Sequence, residues 1–211
     1  MKIVLGNKLK EMSSEDFKEI LRKFENVEID LGTGNGRYVY KKALKNPEIL
    51  CIGIDLVEKQ LRKYSKKALR KKLSNVLFVL GSAEMLAEEL RNTANVVTII
   101  LPWGSLLENI AGYNKPVIKA IKNLIKPGGS LLLVFGYDLL SEPVETKRLN
   151  LKDLDENYIK IELIPKYEDI GFKIDNFQKV TRKMLREIDT SWSKKLSLGK
   201  PRPIFYLKFK I

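Results

Sequence analysis

Residues 27–37 have the sequence Val27-Glu28-Ile29-Asp30-Leu31-Gly32-Thr33-Gly34-Asn35-Gly36-Arg37, in which a short apolar run leads into three glycines at alternate positions. The run predicts a buried strand, and a helical pattern begins at Arg37. Glycines such as Gly32 and Gly34 suit a sharp turn and let a ligand lie against the main chain. Strand, glycine turn and helix in this order are typical of an α/β sheet that binds a cofactor at the carboxyl ends of its strands.

Asp30, just before the glycine turn, indicates which kind of cofactor the turn accepts. A carboxylate at this place repels a pyrophosphate but attracts a cation such as an α-amino group or a sulfonium. The turn also lacks the Lys-Ser/Thr pair of a P-loop and the G-x-G-x-x-G spacing of a dinucleotide site. We therefore predict a site for S-adenosylmethionine, with an ordinary tight turn between strand and helix as the alternative.

The composition is that of a globular chain with a strong excess of positive charge. Its 211 residues are 44% hydrophobic, and 39 Lys and Arg residues against 26 Asp and Glu give a net charge of +13. This excess favours a polyanionic partner such as nucleic acid. No signal-peptide pattern and no apolar run of membrane-spanning length is visible, so we expect a cytoplasmic protein.

Histidine is absent from the sequence, which excludes several kinds of chemistry. Histidine is the commonest general base and metal ligand, so we expect no metal and no His-containing triad. The one cysteine, Cys51, lies in an apolar run and is expected to pack in the core. That leaves no nucleophile for cysteine-dependent methylation of a base.

Strand and helix patterns alternate along the first two thirds of the chain. The predicted strands are residues 27–31, 49–54, 76–80, 96–101 and 131–135. This order predicts a mostly parallel, doubly wound sheet of the Rossmann-like α/β class. Two more strands, at residues 173–177 and 204–211, are expected to form an antiparallel last pair and to complete a seven-stranded sheet.

We expect a single domain, because no linker or repeat interrupts residues 1–211, and we expect the protein to be a monomer. Residues 1–10 are predicted to form a small N-terminal hairpin. Residues 137–165 are expected to be a polar, irregular insertion after the fifth strand, and residues 178–203 a basic connection before the last strand.

Asp55 ends the second strand pattern and is predicted to form another wall of the cofactor site. A carboxylate there is placed to accept both ribose hydroxyls of an adenosine cofactor. Its alternative role is to cap the next helix, and the two roles are compatible. Ala83 and Glu84 follow the third strand, where small residues can lie over an adenine ring.

Pro102 and Trp103 follow the fourth strand and are candidates for the chemical step. Enzymes that methylate the exocyclic amine of adenine or cytosine carry Asn/Asp-Pro-Pro-Tyr/Phe at this place, whereas this chain has Leu101 before Pro102. Without the hydrogen-bonding side chain, the site suits a nucleophile with a free lone pair, such as a ring nitrogen. Such a nucleophile needs no general base.

Trp103 and Trp192 are the only tryptophans, and we predict that they hold one base extruded from folded nucleic acid. The alternative is that either ring belongs to the core. A helix pattern over residues 59–72 carries eight basic residues and no acidic one, a crowding that phosphates would relieve. The alternative for this helix is a solvated charged face.

Four segments together resemble those of a known enzyme family. They are Ile29-Asp30-Leu31-Gly32-Thr33-Gly34, Gly53-Ile54-Asp55, Pro102-Trp103-Gly104-Ser105-Leu106-Leu107 and Ser191-Trp192-Ser193-Lys194-Lys195-Leu196. In this order they are similar to the aminoglycoside-resistance 16S rRNA adenine-1408 N1-methyltransferases, the KamB and NpmA group. The resemblance implies a class I S-adenosylmethionine-dependent methyltransferase that acts on the 30S subunit at the decoding site.

The resemblance also implies roles for individual residues. The cofactor would be lined by Asp30, Gly32, Asp55, Ala83, Glu84, Ile100, Ser105 and Thr190. The flipped adenine would stack between Trp103 and Trp192. Phosphates of the rRNA would contact Lys66, Lys67, Lys71, Lys195, Lys200 and Arg202, and Glu142 would help to stabilise the distorted target.

Some positions depart from the family pattern, and two alternatives remain open. Lys195 and Lys200 stand where Arg is found, which keeps the charge but loses the planar guanidinium. One alternative is a tRNA guanine-N7 methyltransferase, although that family usually has a Lys- and His-containing run after Pro-Trp. The other is a non-catalytic RNA-binding or assembly protein on the same fold, against which the intact Asp30, Asp55 and glycines argue.

Overall fold

A computed structural model describes residues 1–199 and 202–211. Among these residues the strands are β1 (Lys2–Leu5), β2 (Lys8–Glu11), β3 (Asn26–Leu31), β4 (Ile49–Asp55), β5 (Val76–Leu80), β6 (Ala94–Ile100), β7 (Ile125–Phe135), β8 (Lys173–Lys179) and β9 (Phe205–Lys210). The helices are α1 (Ser14–Leu21), α2 (Arg37–Lys45), α3 (Glu58–Arg70), α4 (Gly104–Ala111), α5 (Lys115–Lys122), α6 (Pro143–Arg148), α7 (Ile164–Glu168), α8 (Arg182–Glu187) and α9 (Ser191–Leu198). A 3₁₀ turn spans Glu88–Leu90, and a π-helix spans Tyr158–Leu163. None of the described helices is long and apolar enough to cross a membrane.

The described strands form one sheet with the order β2-β1-β5-β4-β3-β6-β7-β9-β8. The strands from β5 to β7 in this order are parallel, and β9 is antiparallel to both β7 and β8. This confirms the predicted parallel sheet with an antiparallel last pair. The predicted hairpin, β1 and β2, continues the sheet because Ile3 pairs with Val79, so the sheet has nine strands within residues 1–199 and 202–211, rather than the predicted seven.

The strand order reverses at β3, which places a crevice between the carboxyl ends of β3 and β6. The chain runs from β3 outward through β4 to β5 and then crosses back to β6 on the other side of β3. In open α/β sheets, ligands bind at such a switch point. Ile29 of β3 and Ile52 of β4 are completely buried, so the strands that lead to the crevice are held firmly in the core.

Residues 137–165 are largely helical and well packed, so the expectation of a polar, irregular insertion is wrong. Ile159 and Leu163 of the π-helix are completely buried in the main core. The hydroxyl of Tyr158 donates to the carbonyl of Ala111 at 2.5 Å, which ties the segment to α4. The wider turn of a π-helix breaks the 3.6-residue period, and this hid the segment from the sequence pattern.

Candidate active site

A cleft of about 420 Å³ opens at the carboxyl ends of β3, β4, β5 and β6. The loops that follow these strands line it, together with the turn before α9. Every residue that the sequence assigns to the cofactor or to the chemical step borders this cleft: Asp30, Gly32, Gly34, Asp55, Ala83, Glu84, Ile100, Pro102, Trp103, Ser105, Thr190 and Trp192. The fold therefore brings together candidate residues from distant parts of the chain.

The glycine loop follows a main-chain path that glycine adopts readily. Gly32 and Gly34 have φ angles of 75° and 58°, in the left-handed region. A Cβ atom on Gly32 would lie 2.6 Å from Cδ2 of Leu106, so a side chain at this position would have to displace the end of the Leu106 side chain. At Gly34 the nearest atom would be Oε1 of Gln60, at 3.6 Å. The main-chain conformation thus favours glycine at both positions, and a Cβ atom would meet a close neighbour only at the first.

Asp30 is a buried carboxylate with no ion-pair partner among the described residues. The hydroxyl of Thr98 donates a hydrogen bond of 2.7 Å to Oδ1 of Asp30. Burial nevertheless raises the pKa of Asp30 to about 7, because a charged carboxylate is poorly solvated in the core. A cation in the cleft would favour the charged form, which fits the predicted contact with an amino or sulfonium group.

Asp55 has both carboxylate oxygens engaged by main-chain N–H groups. Gly34 donates to Oδ2 at 2.7 Å, and Val57 donates to Oδ1 at 2.9 Å. The bond from Val57 closes the turn before α3, but the N-cap residue of α3 is Val57 and no side chain of the described residues caps this helix, so the alternative role of Asp55 as its cap is wrong. Each oxygen keeps further lone-pair capacity. Because Asp55 borders the cleft, the same side chain can also accept hydroxyl groups of a ligand.

The pKa of Glu84 is shifted in the opposite direction to the pKa of Asp30. The side-chain amide of Asn109 donates to Oε1 of Glu84 at 2.6 Å. Partial burial acts against the charge, but hydrogen bonds from the main chain of Glu84, from Ser82 and from Asn109 outweigh it and lower the pKa of Glu84. Among the carboxylates that line the cleft, Glu84 thus has a lowered pKa, whereas burial raises the pKa of both Asp30 and Asp55.

Trp103 and Trp192 stack face to face at the edge of the cleft, and the space between their rings is the tryptophan slot. The ring centroids are 6.0 Å apart, and the ring planes differ by only 14°. The two residues are 44% and 48% exposed, so neither is a core residue. A flat base between two rings needs about 7 Å, twice a contact distance of about 3.5 Å. Since the spacing of the ring planes cannot exceed the centroid distance, the slot must open by at least about 1 Å to admit a base.

Leu101, just before Pro102, has an unusual main-chain conformation. Its φ angle of 51° lies in the left-handed region, which a leucine rarely adopts, and its side chain is buried. The N–H of Leu101 donates to the carbonyl of Val134 at 2.6 Å, which fixes the end of β6. Such strain, about 1–3 kcal/mol, is found at functional sites. Here it sets the direction in which the chain presents Trp103.

Asp189 is not among the predicted site residues, although it anchors the turn that carries Thr190 and Trp192. Arg37 donates to Oδ1 of Asp189 at 2.8 Å, and Lys41 also pairs with this carboxylate. Thr190 then caps α9, accepting a hydrogen bond from the N–H of Ser193 at 2.9 Å. A signal was present in the sequence, since an acid directly before Thr190 stands out in a basic connection.

The predicted nucleic-acid contacts on α3 lie on its outer surface. Lys66 and Lys71 are exposed, and Nζ of Lys67 lies 4.8 Å from the ring centroid of Tyr64. The helix is not free of acid as the predicted range of 59–72 suggested, because it begins at Glu58. That residue pairs with Arg62 at 2.7 Å and so neutralises part of the charge at the start of the helix.

Of the remaining predicted contacts, those that the structure describes lie beside the tryptophan slot and at the start of α6. Nζ of Lys195 lies 5.1 Å from the ring centroid of Trp192. Nη1 of Arg202 donates to Oε1 of Glu142 at 2.7 Å, so these two residues bind each other across 60 residues of sequence. Lys200 lies outside the residues that the structure describes.

The carboxylates that line the cleft limit the kinds of cofactor that it can bind. A pyrophosphate on the glycine turn would face Asp30, so a dinucleotide does not fit this sheet in the usual way. An adenosine cofactor that carries a cation does fit, with Asp55 beside its ribose and Asp30 beside its charge. The chain is a class I S-adenosylmethionine-dependent methyltransferase.

Comparison with known proteins gives the family. Residues 2–211 match the model of the NpmA family, 16S rRNA (adenine(1408)-N(1))-methyltransferase. A protein of that name from Escherichia coli is 34% identical over 210 residues, covering 97% of this chain and 96% of the relative. A tRNA (guanine-N(7)-)-methyltransferase from Listeria monocytogenes is more distant, at 28% identity over 181 residues, 76% of this chain and 84% of the relative.

Solved structures agree with this result. The 30S ribosomal A1408 methyltransferase from an uncultured bacterium is 40% identical, with a TM-score of 0.80, and the match covers 100% of this chain and 99% of that one. The 16S rRNA methyltransferase KamB is 25% identical, with a TM-score of 0.91 and the same coverage. The chain belongs to the NpmA family of 16S rRNA (adenine(1408)-N(1))-methyltransferases.

Proposed function

We propose that this chain methylates N1 of an adenosine in the decoding A-site of 16S rRNA within the 30S subunit, and that the product confers aminoglycoside resistance. Membership of the family supports the reaction and the substrate. The observation that carries the proposal is the parallel, half-exposed pair of indoles beside the cofactor cleft. Such a pair can stack on both faces of an extruded base.

The residues of the cleft fit the proposed cofactor. S-adenosylmethionine, when bound, supplies a methyl group on a positively charged sulfur and is left as S-adenosylhomocysteine. Asp30 offers a buried carboxylate to the cationic part of the cofactor, while Asp55 is held by Gly34 in position to accept ribose hydroxyls. The other contacts are assigned to Gly32, Ala83, Glu84, Ile100, Ser105 and Thr190.

The chain's own part in the chemical step is positioning. Trp103 and Trp192 would hold the adenine so that the in-plane lone pair of N1 points into the cleft, and Pro102 stiffens the main chain before Trp103. No general base is needed, because N1 carries no proton to remove. The methylated base is positively charged, and the indole faces stabilise a cation.

The rRNA phosphates would bind to basic groups on α3 and around the slot. The assigned residues are Lys66, Lys67, Lys71, Lys195, Lys200 and Arg202, with Glu142 beside the distorted target. Methylation of N1 removes a hydrogen-bonding edge that an aminoglycoside in the A-site needs, so resistance follows from the same reaction. Action on the 30S subunit would place the protein in the cytoplasm, and we propose that it works there as a monomer.

Transfer of a labelled methyl group to 30S subunits, naked 16S rRNA and tRNA in parallel tests this function. We expect label in 30S subunits, with primer extension stopping at the methylated adenosine. Label in tRNA but not in 30S subunits would instead indicate the guanine-N7 activity. Binding of the cofactor and of 30S subunits without label would indicate a non-catalytic RNA-binding protein.

A further inference from the structure

Asp189 lies in the turn between α8 and α9, and three cations surround its carboxylate. Arg37 donates from Nη2 to Oδ1 at 2.8 Å and from Nε to the same oxygen at 3.2 Å. Lys41 pairs with Oδ2, and Nζ of Lys194 lies 3.4 Å from Oδ1. Burial acts against the charge, but these cations outweigh it and hold the pKa of Asp189 well below its usual range. The carboxylate is therefore charged at any pH at which the protein works.

The main chain of the same turn takes part in this contact. Nε of Arg37 also donates to the carbonyl oxygen of Asp189 at 3.2 Å. Asp189 has a φ angle of 48°, which is uncommon outside glycine. Because one guanidinium binds both the carboxylate and the main-chain carbonyl of Asp189, it fixes the direction of the turn as well as its position. A second tie comes from Asn35, whose Nδ2 donates to Oγ of Ser191 at 3.0 Å.

Arg37 joins this turn to the cofactor loop. It is the first residue of α2, directly after the glycine loop, and it borders the cleft. Its Nη1 donates to the hydroxyl of Tyr64 on α3 at 3.0 Å, so the guanidinium is held from a second side. The pair with Asp189 spans 152 residues of sequence and connects the start of the fold to its last third.

α9 offers few apolar contacts that could hold Trp192 without these polar ties. Its buried residues are Ser193 and Ser197, which contribute little apolar area. Leu196 is partly buried against the core, and Leu198 is 82% exposed. The position of Trp192 therefore depends mainly on the turn that precedes it.

We propose that Asp189 is a positioning residue whose clamp on Arg37 and Lys41 holds Trp192 opposite Trp103. The tryptophan slot then forms only against a folded glycine loop, which couples the site of the base to that of the cofactor. The catalytic consequence rests on the proposed function, because the slot is assigned to the target base there. Without the carboxylate, Arg37, Lys41 and Lys194 would repel one another, and the turn would move outward.

Asp189→Asn removes the charge at constant size, and Asp175→Asn is its matched control. Asp175 also pairs with two lysines, Lys208 at 2.8 Å and Lys210 at 2.7 Å, but on the β8–β9 edge of the sheet. The two tryptophans of the chain are the two walls of the slot, so tryptophan emission, excited at a wavelength that the eight tyrosines do not absorb, reports on the slot alone. We expect Asp189→Asn to change the emission and to increase quenching by acrylamide, and Asp175→Asn to leave both unchanged.

With 30S subunits we expect Asp189→Asn to lower kcat about tenfold or more, since small errors in position cost this much. KM for the subunit and the melting temperature should stay near wild type. The double variant Asp189→Asn with Arg37→Gln should lose little more kcat than Asp189→Asn alone, because the ion pair between these two residues is already broken in the single variant. Asp189→Glu keeps the charge and should restore most of the fluorescence and kcat.

Three results would decide against the clamp. Unchanged fluorescence and kcat in Asp189→Asn would overturn it, and so would a melting temperature that falls in proportion to kcat, which indicates a purely structural residue. The clamp would also be overturned if Asp189→Glu recovered neither the fluorescence nor the kcat of the wild type. If the wild-type protein methylates no 30S subunits but the fluorescence difference persists, the proposed function fails and the clamp stands.

Discussion

Asp30 shows how one residue can make cofactor binding depend on protonation. Its pKa of about 7 means that the free protein holds this carboxyl partly protonated at neutral pH. A cationic ligand interacts favourably only with the charged form, so it would lower the pKa and release the proton. Under the proposed assignment of Asp30, the group that recognises the cofactor is thus also the group that pH controls.

Binding of S-adenosylmethionine should release protons and weaken as the pH falls below about 7. Calorimetry at one pH in two buffers of different ionisation enthalpy measures the protons released. We expect close to one proton per cofactor around pH 6, and none with Asp30→Asn, which should also bind more weakly. Equal heats in both buffers for the wild-type protein would contradict the assignment of Asp30.

The same pKa predicts how the stability of the cofactor-free protein changes with pH. The folded-state pKa of Asp30, about 7, lies above the reference value of 3.8, so between these values the folded state binds more protons than the unfolded state. Stability should then fall as the pH rises through this window, by up to about 1.4 kcal/mol per pH unit. Urea denaturation at pH 5, 6 and 7 should show this slope in the wild type and its loss in Asp30→Asn. The prediction would be refuted if the stability of the wild type, relative to that of Asp30→Asn, increased as the pH rises.

Trp192→Ala should separate binding of the base from binding of the cofactor. Loss of one stacked face, worth about 1–3 kcal/mol, should lower methylation of 30S subunits by about tenfold or more. Cofactor affinity measured by calorimetry should stay near wild type. Leu198→Ala, at an exposed position of the same helix, is the control and should retain activity. A parallel loss of both properties in Trp192→Ala would make this residue structural.

At the scale of elements, local features could be predicted and distant contacts could not. The unit of β3, glycine loop and α2 follows from the sequence, because apolar runs and glycines determine it within a few residues. The pair of Arg37 and Asp189 joins residues 152 apart, and the pair of Glu142 and Arg202 joins residues 60 apart. Sequence patterns carry no information on which distant charges meet, so the clamp became visible only in the fold.

The π-helix at Tyr158–Leu163 should stabilise the core, although the sequence pattern of this segment did not predict a buried helix. Ile159→Ala should cost about 2–4 kcal/mol, because it leaves a cavity at a completely buried position. Ile161→Ala, in the same segment but 71% exposed, should cost less than about 0.5 kcal/mol. Urea denaturation of both variants at fixed pH tests this. Equal costs would mean that the segment packs differently from the described structure.

Across the whole molecule, direct contacts join the basic helix to the tryptophan slot. Lys67 lies over Tyr64, Tyr64 binds Arg37, and Arg37 binds Asp189 beside the turn that carries Trp192. Direct contacts therefore connect the basic helix to the proposed site of the base. A net charge of +13 alone would attract RNA to any side of the protein, whereas the proposed phosphate contacts on α3 would direct it to one side.

Reversal of charge on α3 should therefore act more strongly than the same reversal elsewhere. Lys66→Glu with Lys67→Glu should weaken binding to 30S subunits and reduce the slope of log K against log salt by about two, one for each lost phosphate contact. Lys115→Glu with Lys119→Glu, at exposed positions on α5, changes the net charge equally and controls for long-range attraction. Binding titrations at several salt concentrations measure both slopes. If the two double variants lose the same slope, general charge accounts for the attraction; if only the α3 variant loses it, phosphates bind at Lys66 and Lys67, because screened long-range attraction would not distinguish the two helices.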